Sequence, residues 1–277
     1  MHGHWLQLLN AAWTTFAGVT IIAAFLSVIG KLGAIGRAIA NSICRAPMLD
    51  AVVASFTWVP WVVAACIWGW RGFVGALIGQ FFACYVLAKL HELAHPIANR
   101  GPRIIKFINA AVGRWQNHLA LWVTVVALPA FWLIRFIQVG LWWTLVVLLD
   151  FPKYKHGDWV NVSRQKFEGL VGHDLIWCLY CDWMTGVYSL GAEMLRNVES
   201  FWCPIRFYDG KKCANCAQDF PDIENGWVAD GSMANVVSKM EQMYGDGRRE
   251  WFGHPARLTV RGQPISEEQP VSAVGKG

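Results

Sequence analysis

Acidic side chains are almost missing from the first half of this chain. From Met1 to Phe151 only Asp50, Glu92 and Asp150 are acidic, against ten Lys and Arg. Trp5 to Ile29 and Ala51 to Trp70 carry no formal charge, and Phe73 to Leu90 carries only Lys89. A water-soluble domain needs a solvated charged face, so this scarcity excludes one here. It is what a bilayer imposes, because an ionised group at its centre costs at least about 2.5 kcal/mol. From Pro152 onward fourteen Lys and Arg face sixteen Asp and Glu, the balance of ordinary globular protein.

Other absences narrow the function classes. No Lys or Arg precedes Lys31, so the start lacks the basic region of a cleaved secretory signal, and a retained first helix is expected. There is no phosphate loop, no G-x-S-x-G elbow and no dinucleotide glycine pattern. A membrane di-iron hydroxylase needs clustered histidine boxes, whereas His2, His4 and His254 stand isolated near the ends. There is no internal repeat and no nucleic-acid motif. The net charge of +5 sits in the apolar half, where loops touching anionic lipid account for it. The lipid bilayer, with other membrane or cytosolic proteins, is the expected partner.

The apolar runs read as about five transmembrane helices: Trp5 to Ile29, Ala51 to Trp70, Phe73 to Leu90, and two within Trp115 to Phe151 that turn near Arg135. One long kinked helix is the alternative for the last stretch. Pro60 inside the second span requires a neighbour to satisfy the carbonyl it frees. Leu32, Ile35, Ile39 and Ile43 oppose Arg37, Asn41 and Arg45 at helical spacing, which predicts a helix lying in the membrane interface. Ile104, Ile105, Ile108 and Val112 predict a second. Lys31, Arg37, Arg45, Lys89, Arg100, Arg103, Lys106 and Arg114 fall on one side of five spans, with Arg71 and Arg135 on the other. The positive-inside rule makes the basic side cytosolic and the N-terminus external. Many of the 17 tryptophans stand near span ends, as in an aromatic belt.

The expected architecture is therefore an all-α polytopic membrane domain over 1–151, a small α+β cytosolic domain over 152–262 and a mobile tail over 263–277. Within the cytosolic part, Asp182 to Trp202 and Ser232 to Tyr244 have amphipathic stripes, with Gly245 as a cap for the second. Asp209-Gly210 signals a hairpin.

Five of the eight cysteines crowd into this part: Cys178, Cys181, Cys203, Cys213 and Cys216. Cys178-x-x-Cys181 and Cys213-x-x-Cys216 are plausible knuckles for a structural zinc, with rubredoxin-like iron as the alternative. Cys203, Cys213 and Cys216 with one upstream ligand suit the same metal, and His173 is a nitrogen option. Reduced, packed cysteine is the competing account.

The sharpest local pattern is His91-Glu92-Leu93-Ala94-His95. Two histidines at i and i+4 share a helix face and can hold zinc, while the glutamate between them can act as general base. Under five spans, His118 and Asp150 reach the same membrane face and could complete a site. A helix end whose Lys89, His91 and His95 complement the helix dipole, stopped by Pro96, accounts for the same residues without metal. The stretch HELAHPIANR resembles the zinc helix of site-two-type intramembrane metalloproteases. That resemblance implies His91 and His95 as ligands, Glu92 as base and a later aspartate as third ligand. The family's Asn-Pro stretch ending in Leu-Asp-Gly is absent, and Leu148-Leu149-Asp150-Phe151 is the nearest stand-in. Two functions follow: a membrane-embedded zinc hydrolase, protease-like, or a non-enzymatic anchor whose metal-stapled cytosolic domain docks proteins within a larger complex.

Overall fold

The computed structural model describes residues 2–244 except 168, 221, 222, 224 and 225. Gly245 and the tail over 263–277 lie outside the described residues. Three helical runs are long and apolar enough to cross a bilayer, Gly3–Ile29, Trp58–Ala94 and Arg114–Leu149. The chain is a helical membrane protein.

The uncharged N-terminal run forms α1 (His2–Ile29). Its few hydroxyls bond inward, Thr14 to the Asn10 carbonyl at 2.8 Å and Ser27 to that of Ala24 at 2.7 Å. Those hydroxyls are thereby satisfied within the helix. The first amphipathic stretch forms α2 (Gly33–Ile43), followed by α3 (Met48–Phe56) and α4 (Trp58–Ala94).

The run α4 is two arms. Gly69 sits inside it at φ 66°, ψ −153°, a backbone conformation open chiefly to glycine, and the chain doubles back there. Trp61 Nε1 donates to Gln80 Oε1 at 2.6 Å although nineteen residues separate them. Gln80 Nε2 also donates to the carbonyls of Phe56 and Thr57. Phe56 is the residue whose carbonyl Pro60 deprives of its usual donor, so the expected rescue by a neighbour comes from the opposite arm.

The arms approach closely because small residues line them. Gly72 lies against Ala64, Gly75 against Leu8 and Ala11, and Gly79 against Ala12. Ala11, Ala64 and Ala76 are buried together with Trp61 and Trp68 packed around them. These pairings run α1 parallel to the second arm and antiparallel to the first. The start of α1 and the Gly69 turn therefore share one end of the bundle, and Ile29, Met48 and Ala94 share the other.

Beyond that second end come α5 (Pro96–Arg100), the second amphipathic helix α6 (Ile104–Val112) and α7 (Arg114–Thr124). A 3-10 turn over Val125–Ala127 leads into α8 (Leu128–Phe136), then a π segment over Ile137–Leu141 and α9 (Trp142–Leu149). Pro129 explains the 3-10 turn, since it cannot donate to the Val125 carbonyl. After α9 come α10 (His156–Trp159), α11 (His173–Trp202), α12 (Ala214–Asp219) and α13 (Met233–Tyr244).

Five separate spans and an α+β C-terminal domain are not what the described residues contain. Arg114–Leu149 is one apolar helical run, with no turn at Arg135. That side chain is 1% exposed and donates to Gln138 at 2.9 Å, a buried position where a solvated turn had been expected. No strand occurs among the described residues. Asp209-Gly210 opens a 3-10 turn whose bonds run Lys211 N to Tyr208 O and Lys212 N to Asp209 O. Only an isolated bridge pairs Tyr208 with Val228.

The chain divides into two compact units, 1–127 with 156–186, and 128–155 with residues from 187 onward. The first is built on the α1/α4 packing. In the second, Gln138 donates to the Val187 carbonyl at 2.6 Å, and Phe151 packs on Phe201 with ring centroids 5.3 Å apart. A small core there joins Phe207, Phe220, Ile223 and Val236, with Cys216, Trp227 and Met240 against it.

Gly79→Leu would drive a side chain into the Ala12 backbone. Overpacking of this kind costs about 1–3 kcal/mol, so the variant unfolds at lower temperature in detergent. Gly18→Leu, at a position with open space around it, leaves the unfolding temperature near that of the wild type.

Candidate functional site

The second arm of α4 ends in the HELAH sequence, and its surroundings centre on Arg103. Arg103 lies in extended backbone just before α6 (φ −137°, ψ 141°), so its side chain leaves the helix start and turns inward, 5% exposed. Its Nη1 donates to Glu92 Oε1 at 3.0 Å and to Asn99 Oδ1 at 2.7 Å. Its Nε donates to Asp174 Oδ2 and its Nη2 to the Val171 carbonyl, each at 3.0 Å. Lys89 Nζ donates to Glu92 Oε2 at 2.8 Å. Asp174 Oδ1 accepts from the Ile105 backbone N–H at 3.1 Å, placing negative charge at the positive end of α6.

Two cations and two carboxylates therefore close a network at the end of the membrane bundle. The carboxylate neighbours hold the Arg103 guanidinium charged against the pull of burial, with its pKa raised.

Burial is the main cause that pushes His173 below the ordinary histidine range. Lys89, His118 and Arg103 act the same way, and Glu92 opposes them. His173 stands 6.1 Å from His118 and 6.2 Å from Tyr85, ring centroid to centroid.

The histidines of HELAH do not converge on a point. Their rings stack with centroids 4.3 Å apart and planes 27° apart, so the in-plane lone pairs run side by side. His91 Nδ1 lies 3.3 Å from the Gly172 N–H. An acceptor Nδ1 puts the neutral ring's proton on Nε2, the tautomer unable to offer Nε2 to a metal. His95 Nδ1 lies 3.0 Å from the His91 carbonyl, and His95 has left the helix at φ −123°, ψ 63°, as Pro96 requires. Both Glu92 oxygens are engaged by cations. Gly172, at φ +57°, packs so closely on Glu92 that no Cβ would fit.

This arrangement does not fit a catalytic zinc. His118 meets His173 rather than the HELAH pair. Asp150 belongs to the second compact unit, where it caps α9 in the left-handed conformation (φ 56°, ψ 36°). Among the described residues no three His, Cys, Asp or Glu side chains come together in a way that could hold a metal ion.

The cysteines separate in the same way. Cys178 and Cys181 sit three residues apart inside α11, in the first unit. Burial pushes the Cys178 thiol up and the neighbouring Arg164 opposes it. Cys203 ends α11 ahead of Pro204. Cys213 caps α12, accepting from the Cys216 backbone N–H at 3.4 Å, and the two Sγ atoms are 3.5 Å apart. That spacing is close to the ~3.8 Å that two ~2.3 Å zinc bonds at a tetrahedral angle require. The pair suits half a metal knuckle.

Sequence reasoning missed Arg103 and Asp174 as members of the site. Arg103 counted only as a loop cation, and its bond to Asp174 crosses 71 residues, for which no local pattern exists.

Arg103→Ala leaves Glu92 and Asp174 buried without their partner, a loss of about 3–5 kcal/mol, read as a lowered unfolding midpoint in detergent. His173 should titrate by NMR below the ordinary value of about 6.5. Because its folded pKa is lowered, the stability it contributes is present above that value. The contribution is lost as pH falls from the unfolded pKa towards the folded one.

No protein-family model, curated protein or solved structure matches this chain.

Proposed function

We propose that the chain is a non-enzymatic membrane subunit. Its apolar helices anchor a cysteine-bearing domain that docks membrane or cytosolic proteins. The observation that carries this reading is the double engagement of Glu92 by Lys89 and Arg103. A zinc hydrolase needs that glutamate beside a metal-bound water. Here it serves instead as a strut joining the end of α4 to α6 and α11.

The sidedness rests on the register of the bundle. Lys31, Arg37, Arg45, Lys89, Arg100 and Lys106 all belong to segments at the end where Ile29 and Ala94 lie, and Arg71 follows the Gly69 turn at the other. By the positive-inside rule the first end is cytosolic and the N-terminus external. The Cys213–Cys216 pair offers two thiolates to zinc or iron in this domain, as a structural staple rather than a reaction centre.

Metal analysis of purified protein separates this reading from the protease-like one. After zinc loading and dialysis, the wild type and the double variant His91→Ala, His95→Ala retain the same metal, whereas Cys213→Ser with Cys216→Ser loses whatever the pair holds. Loss of one zinc equivalent from the histidine variant, with loss of a proteolytic activity present in the wild type, overturns it.

A further inference from the structure

We propose that a cleft between the end of α2 and residues 160–166 binds the phosphate of an anionic phospholipid headgroup. This goes beyond the docking reading and depends only on the chain being embedded in a membrane.

The cleft measures about 480 Å³, and Asn41, Ser42, Arg45, Asn161, Gln165 and Lys166 line it. Its two walls are joined by backbone bonds, Ala46 N to Val160 O and Val162 N to Cys44 O, each 2.9 Å, which bridge Arg45 and Asn161. Side-chain amides complete the wall: Asn161 donates to the Asp158 carbonyl at 2.9 Å, and Gln165 to Cys44 Sγ at 3.4 Å.

Those bonds occupy the amides and leave two cations as the charged heads of the cleft. Lys166 has no ion-pair partner among the described residues. Arg45 meets Asp158 at 3.7 Å, with both side chains more than half exposed, a pair that water and salt weaken. Among the described residues no carboxylate lines the cleft itself. Asp182 is taken up by Arg164 and by the N–H groups of Ser163 and Arg164. A guanidinium fork, an ammonium and a serine hydroxyl in the same lining are the donors a phosphate calls for.

The depth of the cleft selects a lipid over a soluble phosphate ester. Helix α2 begins just after α1 ends, and its Leu32, Ile35 and Ile39 are 60%, 75% and 43% exposed. These residues form one stripe, the face an interfacial helix sinks among acyl chains. Arg37 and Asn41 lie on the opposite face, level with headgroups, and Arg45 follows just past the helix end, bridged to Asn161. Phe167, next to Lys166, is 70% exposed and gives the other wall its own apolar contact.

Native mass spectrometry of the full chain in detergent tests this with three probes: phosphatidylglycerol, phosphatidylcholine and free glycerol 3-phosphate. The wild type retains phosphatidylglycerol in preference to phosphatidylcholine, and excess glycerol 3-phosphate does not displace it. Arg45→Gln with Lys166→Gln loses that preference by about tenfold or more, while Arg100→Gln, a cation removed at the same membrane face, keeps it. Unchanged retention by the double variant overturns the proposal, provided its unfolding temperature matches the wild type. Displacement by glycerol 3-phosphate also overturns it and assigns the cleft to a soluble phosphate ester.

Discussion

An arginine taken out of water where α4 ends is what ties α4, α6 and α11 together in the first unit. Desolvating a guanidinium is costly unless its donors are filled and its charge is balanced. Arg103 meets both conditions only by drawing on two separate stretches of chain: Glu92 and Asn99 around the end of α4, and Val171 with Asp174 at the start of α11. Lys89 balances the second carboxylate, so two positive and two negative groups share the site. The planar fork of arginine sets the angles at which these pieces meet, a constraint that an apolar contact would not impose.

The same network explains why the end of α4 reads so much like a metalloprotease helix. A helix that finishes at a membrane surface favours cations and histidines in its last turns, a stop signal such as Pro96, and an acid to pair with the lysine one turn back. Lys89, His91, Glu92, His95 and Pro96 meet all of those demands. Capping alone calls for the same H-E-x-x-H pattern, and ring stacking rather than ring convergence is the arrangement found here.

Legibility in the sequence followed the range of the interactions. Helices α2, α6 and α13 were readable as helices because amphipathic spacing is a local property. The need for a donor near Pro60 was readable too, though its identity as Gln80 was not. The close α1/α4 approach had a signal in Gly75-x-x-x-Gly79, the small-residue spacing membrane helices use, which charge and hydropathy do not register. Arg135 misled because a charge in an apolar run suggests a turn, whereas here it is buried beside Gln138 in a helix with a π segment. The Arg103–Asp174 pair had no sequence signal, since tertiary contact alone joins its members.

The reversal at Gly69 bears on how the chain enters a membrane. Arm one cannot sit in hydrocarbon alone: Pro60 strips the Phe56 carbonyl of its donor, and the replacement comes from Gln80 in arm two. Gln80 would in turn be a bare amide in lipid without Phe56, Thr57 and Trp61 to occupy it. Each arm thus carries a polar defect that the other repairs. Insertion as a joined pair, after ribosomal synthesis has passed Gln80, keeps both defects covered where entry one arm at a time would expose them.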